Sequence, residues 1–278
     1  MLLCCPVCGG SLENTGSALR CGAGHSYDLS AEGYVNLLPA NLRRSADPGD
    51  DREMTAARRD FLAASWYAPL RDTLCALALR YGGAGACLLD AGCGEGYYTR
   101  AAAAVLGGEA VGIDISKSAV RYAAKRGGGV QYTVAGSYHL PVSTGGADIL
   151  LCCFSPVAET EFARVLSPRG ALLHAVPAPD HLWELKETLY DSPYPNPEKE
   201  TPLPGFRIAE TAEVTFPMAL TDARDIHNLF TMTPYRYKTP PEGMARLTAL
   251  RALTVRAAFR VHVHVRREQG EELPCTTS

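Results

Sequence analysis

Residues 87–106 read CLLDAGCGEGYYTRAAAAVL and combine three features in a short space. The apolar run 87–90 is typical of a short buried strand, the glycine-rich run 91–96 of a tight turn, and the alanine-rich run 97–106 of a helix. A strand that leads through a glycine turn into a helix is the repeating unit of parallel sheets. The stretch therefore predicts an α/β fold with a doubly wound sheet.

The sequence after this stretch continues the alternation of strands and helices. Further strands are predicted at 109–113, 130–134, 149–154 and 171–176, and helices at 116–126 and 159–166. Near the chain end, RAAFRVHVHVR at 256–266 alternates strictly, which predicts a half-buried strand. With a strand at 207–216 and a helix at 220–230, it fits the antiparallel hairpin that closes a sheet of this type. His262 and His264 are then expected on a solvated strand face, and metal ligation is the alternative.

The order of glycines and acids in DAGCGEG, residues 90–96, indicates the ligand. A nicotinamide-binding loop would read G-x-G-x-x-G, but Tyr97 stands where that pattern requires its third glycine. Asp90 would repel a pyrophosphate and suits a positively charged amino acid ligand. Asp114, at the end of the next strand, can accept both hydroxyls of a ribose. The two acids resemble those of the class I S-adenosylmethionine-dependent methyltransferases, which have a Rossmann-like sheet. Glycines that only made a tight turn would leave both acids unexplained.

Four residues near the start of the chain have the spacing of a metal site. Cys5 and Cys8 enclose two residues in CPVCGG, and Cys21 and His25 enclose three in CGAGH. Two such pairs fill the four positions of a tetrahedral ion and leave none open, which predicts a structural Zn²⁺ site. A redox pair is the alternative, but no strand precedes Cys5 as a thioredoxin-like motif requires. Cys4 would form an unusual C-x3-C pair with Cys8.

Length and composition bound the remaining possibilities. The chain has 278 residues, a formal net charge of −3 and 46% hydrophobic residues, which suits a globular domain with a small attachment. We expect a zinc-binding module at 1–36, a linker and helical lead-in at 37–84, and a methyltransferase domain at 85–278. No apolar run reaches the roughly 18–20 residues of a membrane span, and we find no secretory signal or disulfide framework. These features predict a cytoplasmic protein without a membrane partner.

Five stretches together closely resemble the bacterial 23S rRNA (guanine-N1)-methyltransferases. They are CPVC…CGAGH, SYDLSAEGYVNLLP, RRSADPGD, LLDAGCGEGYYT and PDHLWELK, and a weaker echo lies at 232–234. The resemblance implies methyl transfer from S-adenosylmethionine to N1 of a guanine in a hairpin loop of 23S rRNA domain II. It also implies a homodimer with a cleft for RNA.

The resemblance further implies a set of cofactor-binding residues. It places cofactor contacts at Tyr34, Tyr67, Gly94, Glu95, Asp114 and His181. The loop patterns add Asp90 and Gly92 for the methionine part of the cofactor and His139 and Leu140 for its adenine edge. Without the resemblance, Tyr34 and Tyr67 would be interpreted as core residues, and His181 as part of the first turn of a helix. The general base is unassigned between Glu159 and Asp180, which both follow strand ends.

Basic residues cluster in two places despite the negative net charge. RNA contact is predicted for the cluster near the zinc motif, which comprises Arg43, Arg44, Arg52, Arg58 and Arg59. A second cluster lies on one predicted helix and comprises Lys117, Arg121, Lys125 and Arg126. An ordinary solvated helix face is the alternative for such residues.

Two other functions stay open at this point. One is a methyltransferase that acts on a small molecule, and the other is a non-enzymatic cofactor-binding module on the ribosome. The zinc motif and the first basic cluster favour an RNA substrate, because an enzyme for a small metabolite needs neither.

Overall fold

The computed structural model of the protein describes residues 2–39, 52–198 and 203–267 and contains two sheets. The small antiparallel sheet consists of β1 (Leu12–Asn14), β2 (Ala18–Cys21) and β3 (Ser26–Asp28). The large sheet consists of β4 (Val35–Asn36), β5 (Leu88–Ala91), β6 (Ala110–Asp114), β7 (Val130–Val134), β8 (Ala147–Cys153), β9 (Leu166–Pro177), β10 (Phe206–Leu220) and β11 (Leu253–Arg266). Its strand order is β10-β11-β9-β8-β5-β6-β7-β4.

Neighbouring strands of the large sheet run parallel from β4 at one edge to β9. Strand β11 runs antiparallel to both β9 and β10. This arrangement confirms the predicted class I methyltransferase fold, a doubly wound sheet with a closing antiparallel hairpin. The strand order reverses at β5, which lies between β6 and β8. Ligands bind at such a switch point, beyond the carboxyl ends of the strands.

The helices pack against the large sheet or against one another. They are α1 (Arg52–Ala63), α2 (Ala68–Gly82), α3 (Tyr97–Leu106), α4 (Lys117–Lys125), α5 (Glu159–Val165), α6 (Trp183–Leu189), α7 (Ala223–Thr231) and α8 (Pro241–Ala249). A short 3-10 helix, Pro234–Tyr237, lies between α7 and α8. Leu88 and Ile149 join a core with α2 and α3, while Leu89 and Leu150 join another with α5 on the opposite face. Within the described residues, no helix is long and apolar enough to cross a membrane.

The small sheet is tied to the large one through the chain that surrounds it. Strand β4 pairs in parallel with β7 at the edge of the large sheet. Leu3 forms a β-bridge with Val142, and the Leu2 N–H donates to the Glu109 carboxylate at 2.6 Å. The predicted boundary at residue 36 thus falls at a strand of the large sheet. The division into 1–36, 37–84 and 85–278 stays a prediction.

Strand β11 has a different environment from the one predicted. His264 is 4% exposed, because its ring packs on the face of the sheet beside the buried ring of His174 on β9, with the ring centres 6.3 Å apart. His262 is partly exposed, and its Nδ1 lies 2.8 Å from the Thr211 hydroxyl. The prediction of a solvated face is therefore wrong for His264. Burial lowers the pKa of His264 to about 4, so this side chain is neutral near pH 7.

Candidate active site and metal centre

A cavity of about 650 Å³ opens at the carboxyl ends of β5, β6 and β8, at the switch point of the large sheet. Its walls come from the glycine loop after β5, the end of β6 and the residues that follow β8. Helix α1, the segment before α6 and the short 3-10 helix complete them. Its volume lies within the range of cofactor and ligand pockets. We call it the cofactor cavity.

The glycine loop needs glycine at two positions to take this shape. Gly92 has a φ of +94°, and a Cβ on it would lie 1.8 Å from the Ser155 Oγ. Gly94 has a φ of +53°, and its N–H donates to Oδ2 of Asp114 at 2.9 Å. Such left-handed backbone is accessible to glycine at little cost. The loop therefore brings the end of β6 and the residues after β8 against the same wall of the cavity.

Asp90, near the end of β5, is 1% exposed and lines the cofactor cavity. The Thr99 hydroxyl donates to its Oδ2 at 2.6 Å, whereas Oδ1 has no hydrogen-bond partner in the described part of the chain. Burial raises the pKa of Asp90 to about 7, because the ionised form loses its hydration. A buried carboxylate oxygen of this kind fits the ammonium group of S-adenosylmethionine.

Asp114, the last residue of β6, also lines the cavity. Its Oδ2 accepts the Gly94 N–H, and its Oδ1 accepts the Ser116 N–H at 2.8 Å. A carboxylate oxygen can accept a second hydrogen bond, so this side chain is oriented by the backbone and can still receive ribose hydroxyls. Glu95 lies beside them, and burial raises the pKa of its carboxyl group.

Tyr67 and His181 form a buried pair in the cavity wall. The Tyr67 hydroxyl lies 3.5 Å from His181 Nε2, while His181 Nδ1 accepts the Ala258 N–H at 3.1 Å. Burial lowers the pKa of His181 to about 3, so the ring is neutral. Because Nδ1 is an acceptor, the proton of the neutral ring lies on Nε2. His181 is therefore a neutral ring whose Nε2–H faces the Tyr67 hydroxyl.

Most of the predicted cofactor-binding residues line the cavity. They are Tyr67, Asp90, Gly92, Gly94, Glu95, Asp114 and His181. Tyr34, His139 and Leu140 are not among the described residues that form its walls. Tyr34 packs in a core cluster with Tyr132, Leu140 is buried with its N–H donating to Glu161 at 2.7 Å, and His139 is exposed. The cofactor contacts of all ten residues stay predictions, and the cavity supports those that line it.

Several cavity residues carry no motif that marks them in the sequence. They include Met54 and Thr55 of α1, and Phe154, Asn196 and Tyr235. The weak family resemblance at 232–234 indicates one part of the wall, because Met232, Thr233 and Pro234 line the cavity. Arg58, from the first basic cluster, also lies here, and its guanidinium donates to the Met232 carbonyl at 3.3 Å. Arg43 and Arg44 lie outside the described residues.

Phe154 follows β8 directly and has an uncommon backbone conformation. Its φ of +59° is left-handed, which is strained for an aromatic residue. The side chain is 47% exposed and lines the cofactor cavity, with its ring centre 5.5 Å from that of Phe259. The chain therefore holds an aromatic surface at the cavity in spite of the backbone strain.

A buried lysine supports one cavity wall from behind. Lys186 is 0% exposed, and its Nζ donates to the Tyr194 carbonyl and to Oδ1 of Asn196, each at 2.8 Å. The Tyr235 hydroxyl donates to the same Asn196 oxygen at 3.1 Å. The Asn196 amide in turn donates to the Ala178 carbonyl at 3.0 Å. Asn196 is thus held in the wall by hydrogen bonds at both ends of its amide.

Neither candidate for the general base is among the described residues of the cavity wall. Glu159 is exposed at the start of α5, and Asp180 pairs with Arg256 at 3.1 Å. The described acids that do line the cavity are Asp90, Glu95 and Asp114. The general base stays unassigned.

The four predicted metal ligands meet beside the small sheet. The ligand atoms of Cys5, Cys8, Cys21 and His25 all lie within 4.8 Å of one another. The Cys8 and Cys21 sulfurs are 3.7 Å apart, and Nδ1 of His25 lies 3.3 Å from the Cys21 sulfur. Tetrahedral Zn–S bonds of about 2.3 Å separate two sulfurs by about 3.8 Å, so this set fits a Zn²⁺ ion. Burial raises the pKa of Cys5, but the Tyr27 hydroxyl at 3.0 Å and backbone N–H groups lower it to about 6, which favours the thiolate.

Two protein families match separate parts of the chain. A zinc-ribbon family described as "RlmA, N-terminal" matches residues 3–46. A family described as "Methyltransferase domain" matches residues 88–170. The first range contains all four metal ligands, and the second contains Asp90, the glycine loop and Asp114.

Relatives of the chain include named rRNA methyltransferases. A "23S rRNA (guanine(748)-N(1))-methyltransferase" of Streptomyces fradiae is 39% identical over 189 residues, which cover 66% of this chain and 66% of the relative. Two others are named "Putative 23S rRNA (guanine-N(1)-)-methyltransferase". That of Micromonospora griseorubida is 38% identical over 205 residues, with 66% of this chain and 68% of the relative covered. YxjB of Bacillus subtilis strain 168 is 31% identical over 264 residues, with 90% and 92% covered.

Replacing the buried carboxylate should weaken cofactor binding. We expect Asp90→Asn to reduce the affinity for S-adenosylmethionine about 10- to 150-fold, because a hydrogen bond to a charged group contributes roughly 1.5–3 kcal/mol. Protonation of Asp90 near pH 7 competes with the cofactor, so binding by the parent protein should strengthen as the pH rises from about 6 to about 7.5. The variant should lack this dependence. Isothermal titration calorimetry at several pH values measures both effects.

Asp72→Asn is the matched control, because Asp72 is an exposed carboxylate that pairs with Arg71 on α2. It should leave both the affinity and its pH dependence unchanged. Equal affinity of the parent and Asp90→Asn near pH 7.5 would show that the Asp90 carboxylate does not contact the cofactor.

Loss of one thiolate should release the metal. We expect Cys8→Ser to lower the zinc content from about one ion per chain to near zero, because a closed four-coordinate site loses one of its ligands. Cys4→Ser should keep its zinc, since Cys4 lies outside the four-ligand set. Metal analysis of the purified proteins by mass spectrometry measures this. Zinc loss in Cys4→Ser, or its retention in Cys8→Ser, would contradict the ligand assignment.

Proposed function

Because the chain belongs to the family of 23S rRNA (guanine-N1)-methyltransferases, we propose that it transfers a methyl group from S-adenosylmethionine to N1 of a guanine in 23S rRNA. The observation that carries the proposal is that a relative of this name matches 90% of the chain, while a zinc-ribbon family matches 3–46 and a methyltransferase-domain family matches 88–170. A methyltransferase for a small metabolite would need the cavity but has no evident use for the ribbon.

The proposal extends to a guanine in a hairpin loop of domain II, to a homodimer and to a cytoplasmic location. The motifs that run from the zinc ribbon into the cofactor domain support these points through the family resemblance. Size-exclusion chromatography with light scattering tests the homodimer, because it measures the mass of the particle in solution.

The chemistry requires that guanine N1 loses its proton and approaches the methyl group in line. S-adenosylmethionine, when bound, supplies that methyl group on a positively charged sulfur. Asp90 would hold the ammonium group, and Asp114 would hold the ribose. Both carboxylates are themselves hydrogen-bonded, to the Thr99 hydroxyl and to backbone N–H groups respectively, so they are oriented before the cofactor arrives. A fixed cofactor allows orientation of the base to supply a large part of the rate.

The exposed ring of Phe154 is the best placed surface for the target base. It lies at the carboxyl end of β8, next to β5 in the sheet, and it lines the cavity that Asp90 and Asp114 share. Bases in RNA loops are recognised by stacking on aromatic side chains after they leave their own stack. Phe154 would therefore hold the guanine ring beside the methyl group, and its strained backbone would keep the ring in that position.

The proposed activity predicts a mapped modification. The protein, incubated with labelled S-adenosylmethionine and unmodified 23S rRNA, should transfer label to the RNA. Primer extension should then stop at one guanine in a hairpin loop, because a methyl group on N1 blocks base pairing. Label in a metabolite extract but not in RNA would favour a small-molecule enzyme. Cofactor binding without any transfer would favour a non-enzymatic module.

Truncation of the stacking surface should lower the rate on RNA and leave the cofactor unaffected. We expect Phe154→Leu to reduce kcat/KM for 23S rRNA about 5- to 150-fold, because stacking on an aromatic side chain contributes roughly 1–3 kcal/mol per base. Its affinity for S-adenosylmethionine should stay within about twofold of the parent. Phe154→Tyr retains a ring and is the matched control. If Phe154→Leu were as active on 23S rRNA as Phe154→Tyr, Phe154 would not be the surface on which the target base stacks.

A further inference from the structure

A second cavity of about 430 Å³ lies between α1 and α4, and we call it the α1–α4 groove. Four cationic side chains line it: Arg52, Lys117, Arg121 and Lys125. The three from α4 follow one another at intervals of four residues, so they lie on one face of the helix. Like charges at this spacing repel each other and destabilise a helix. An anionic ligand along the row would relieve this repulsion.

Positive charge dominates the α1–α4 groove. Among the described residues, no carboxylate lines it. Arg121 pairs at 2.7 Å with Glu32, which lies after β3 and outside the groove lining. Lys117 is the first residue of α4, where the helix N-terminus adds a partial positive charge. The groove thus concentrates cations in a chain whose formal net charge is −3.

An aromatic ring lies among these cations. Tyr122 is 37% exposed, and the Arg59 guanidinium lies 4.9 Å from its ring centre. Thr55 and Ser118 also line the groove and add hydroxyl groups. A row of cations for phosphates, with an aromatic ring for a base, is the combination by which proteins bind single-stranded nucleic acid.

The position of the α1–α4 groove links it to the cofactor cavity. Thr55 lines both cavities, and Ser116 of the cofactor cavity directly precedes Lys117 of the groove. The Arg121–Glu32 pair joins the groove to the segment between β3 and β4. The two cavities therefore adjoin, so an RNA strand with one base in the cofactor cavity can continue into the groove.

We propose that the α1–α4 groove binds the RNA backbone that flanks the target guanine. Lys117, Arg121 and Lys125 contact phosphates, and Tyr122 stacks on a flanking base. That the ligand is 23S rRNA rests on the proposed function. The new element is the surface that binds it, which is the α1–α4 groove. A local cationic surface also reconciles an RNA substrate with the negative net charge, because phosphate contacts depend on nearby cations.

The salt dependence of RNA binding tests the phosphate contacts. The double variant Lys117→Gln/Lys125→Gln should bind an unmodified 23S rRNA transcript more weakly than the parent. The slope of log affinity against log salt concentration should be shallower by about 1.4 to 2, since each lost phosphate contact removes roughly 0.7 to 1. Filter binding over a range of salt concentrations measures this slope. Affinity for S-adenosylmethionine should equal that of the parent, which shows that the variant is folded.

Arg169→Gln/Arg207→Gln is the matched control, because it removes the same charge from exposed residues near the starts of β9 and β10. These starts lie at the opposite end of the sheet from the cofactor cavity, and the control should keep the parent slope. A groove variant with the parent slope would overturn the proposal. So would a control whose slope falls as much as that of the groove variant.

Two further measurements separate the groove from the proposed function and from general charge. A groove variant with the expected change in slope, beside a parent that transfers no methyl group to rRNA, would overturn the proposed function and leave the groove proposal standing. A parent that methylates rRNA, beside a groove variant with the same salt-dependence slope as the parent, would overturn the groove proposal and leave the proposed function. Tyr122→Leu should weaken binding about 5-fold or more with an unchanged slope, and Tyr122→Phe should bind like the parent. Full affinity of Tyr122→Leu would remove the stacking contact from the proposal.

Discussion

The buried carboxylate of Asp90 is the constraint on which the cofactor site depends. Removing an ionised carboxylate from water costs several kcal/mol, and the Thr99 hydroxyl satisfies one oxygen of the two. The central strand β5 carries this group to the switch point, and the glycine loop turns away from it without a side chain. Burial therefore favours the protonated form of Asp90 in the empty site. When a cation enters, the ionised form gains a partner for its second oxygen. The same oxygen, Oδ1 of Asp90, is left without a hydrogen bond on folding and is available to the cofactor.

The ribbon is connected to the large sheet by contacts at several points. The β4–β7 pairing, the Leu3–Val142 bridge and the Glu32–Arg121 pair all connect them. A closed metal site has no position for a substrate, so its contribution to function is geometric. It fixes the surface next to α4, where an RNA strand would leave the cofactor cavity.

The sequence predicted the parts of the fold that depend on neighbouring residues. The glycine loop, helix α3 and the Ser116 cap each follow from a few adjacent positions, and the structure has them as expected. Residues that tertiary packing brings to the cavity gave no local pattern, as with Met54 and Thr55 of α1 and with Asn196. The position of Phe154 in the cavity could not be predicted from the sequence, because its left-handed backbone depends on the surrounding fold. Tyr34 has a recognisable motif, lies in the same core cluster as Tyr132 and is not among the described lining residues of the cavity, so its cofactor contact stays a prediction.

The two edges of the large sheet are protected in different ways. At one edge, the long strand β10 carries Pro217, which cannot donate a hydrogen bond to another strand, and several charged side chains. At the other edge, β7 is covered by the two residues of β4, which follow directly from the ribbon. A strand this short cannot hold its place without the segment that precedes it. The zinc ion would therefore also help to keep the protein soluble. Its loss would expose the unpaired N–H and C=O groups of β7, which could then pair with another chain and cause aggregation.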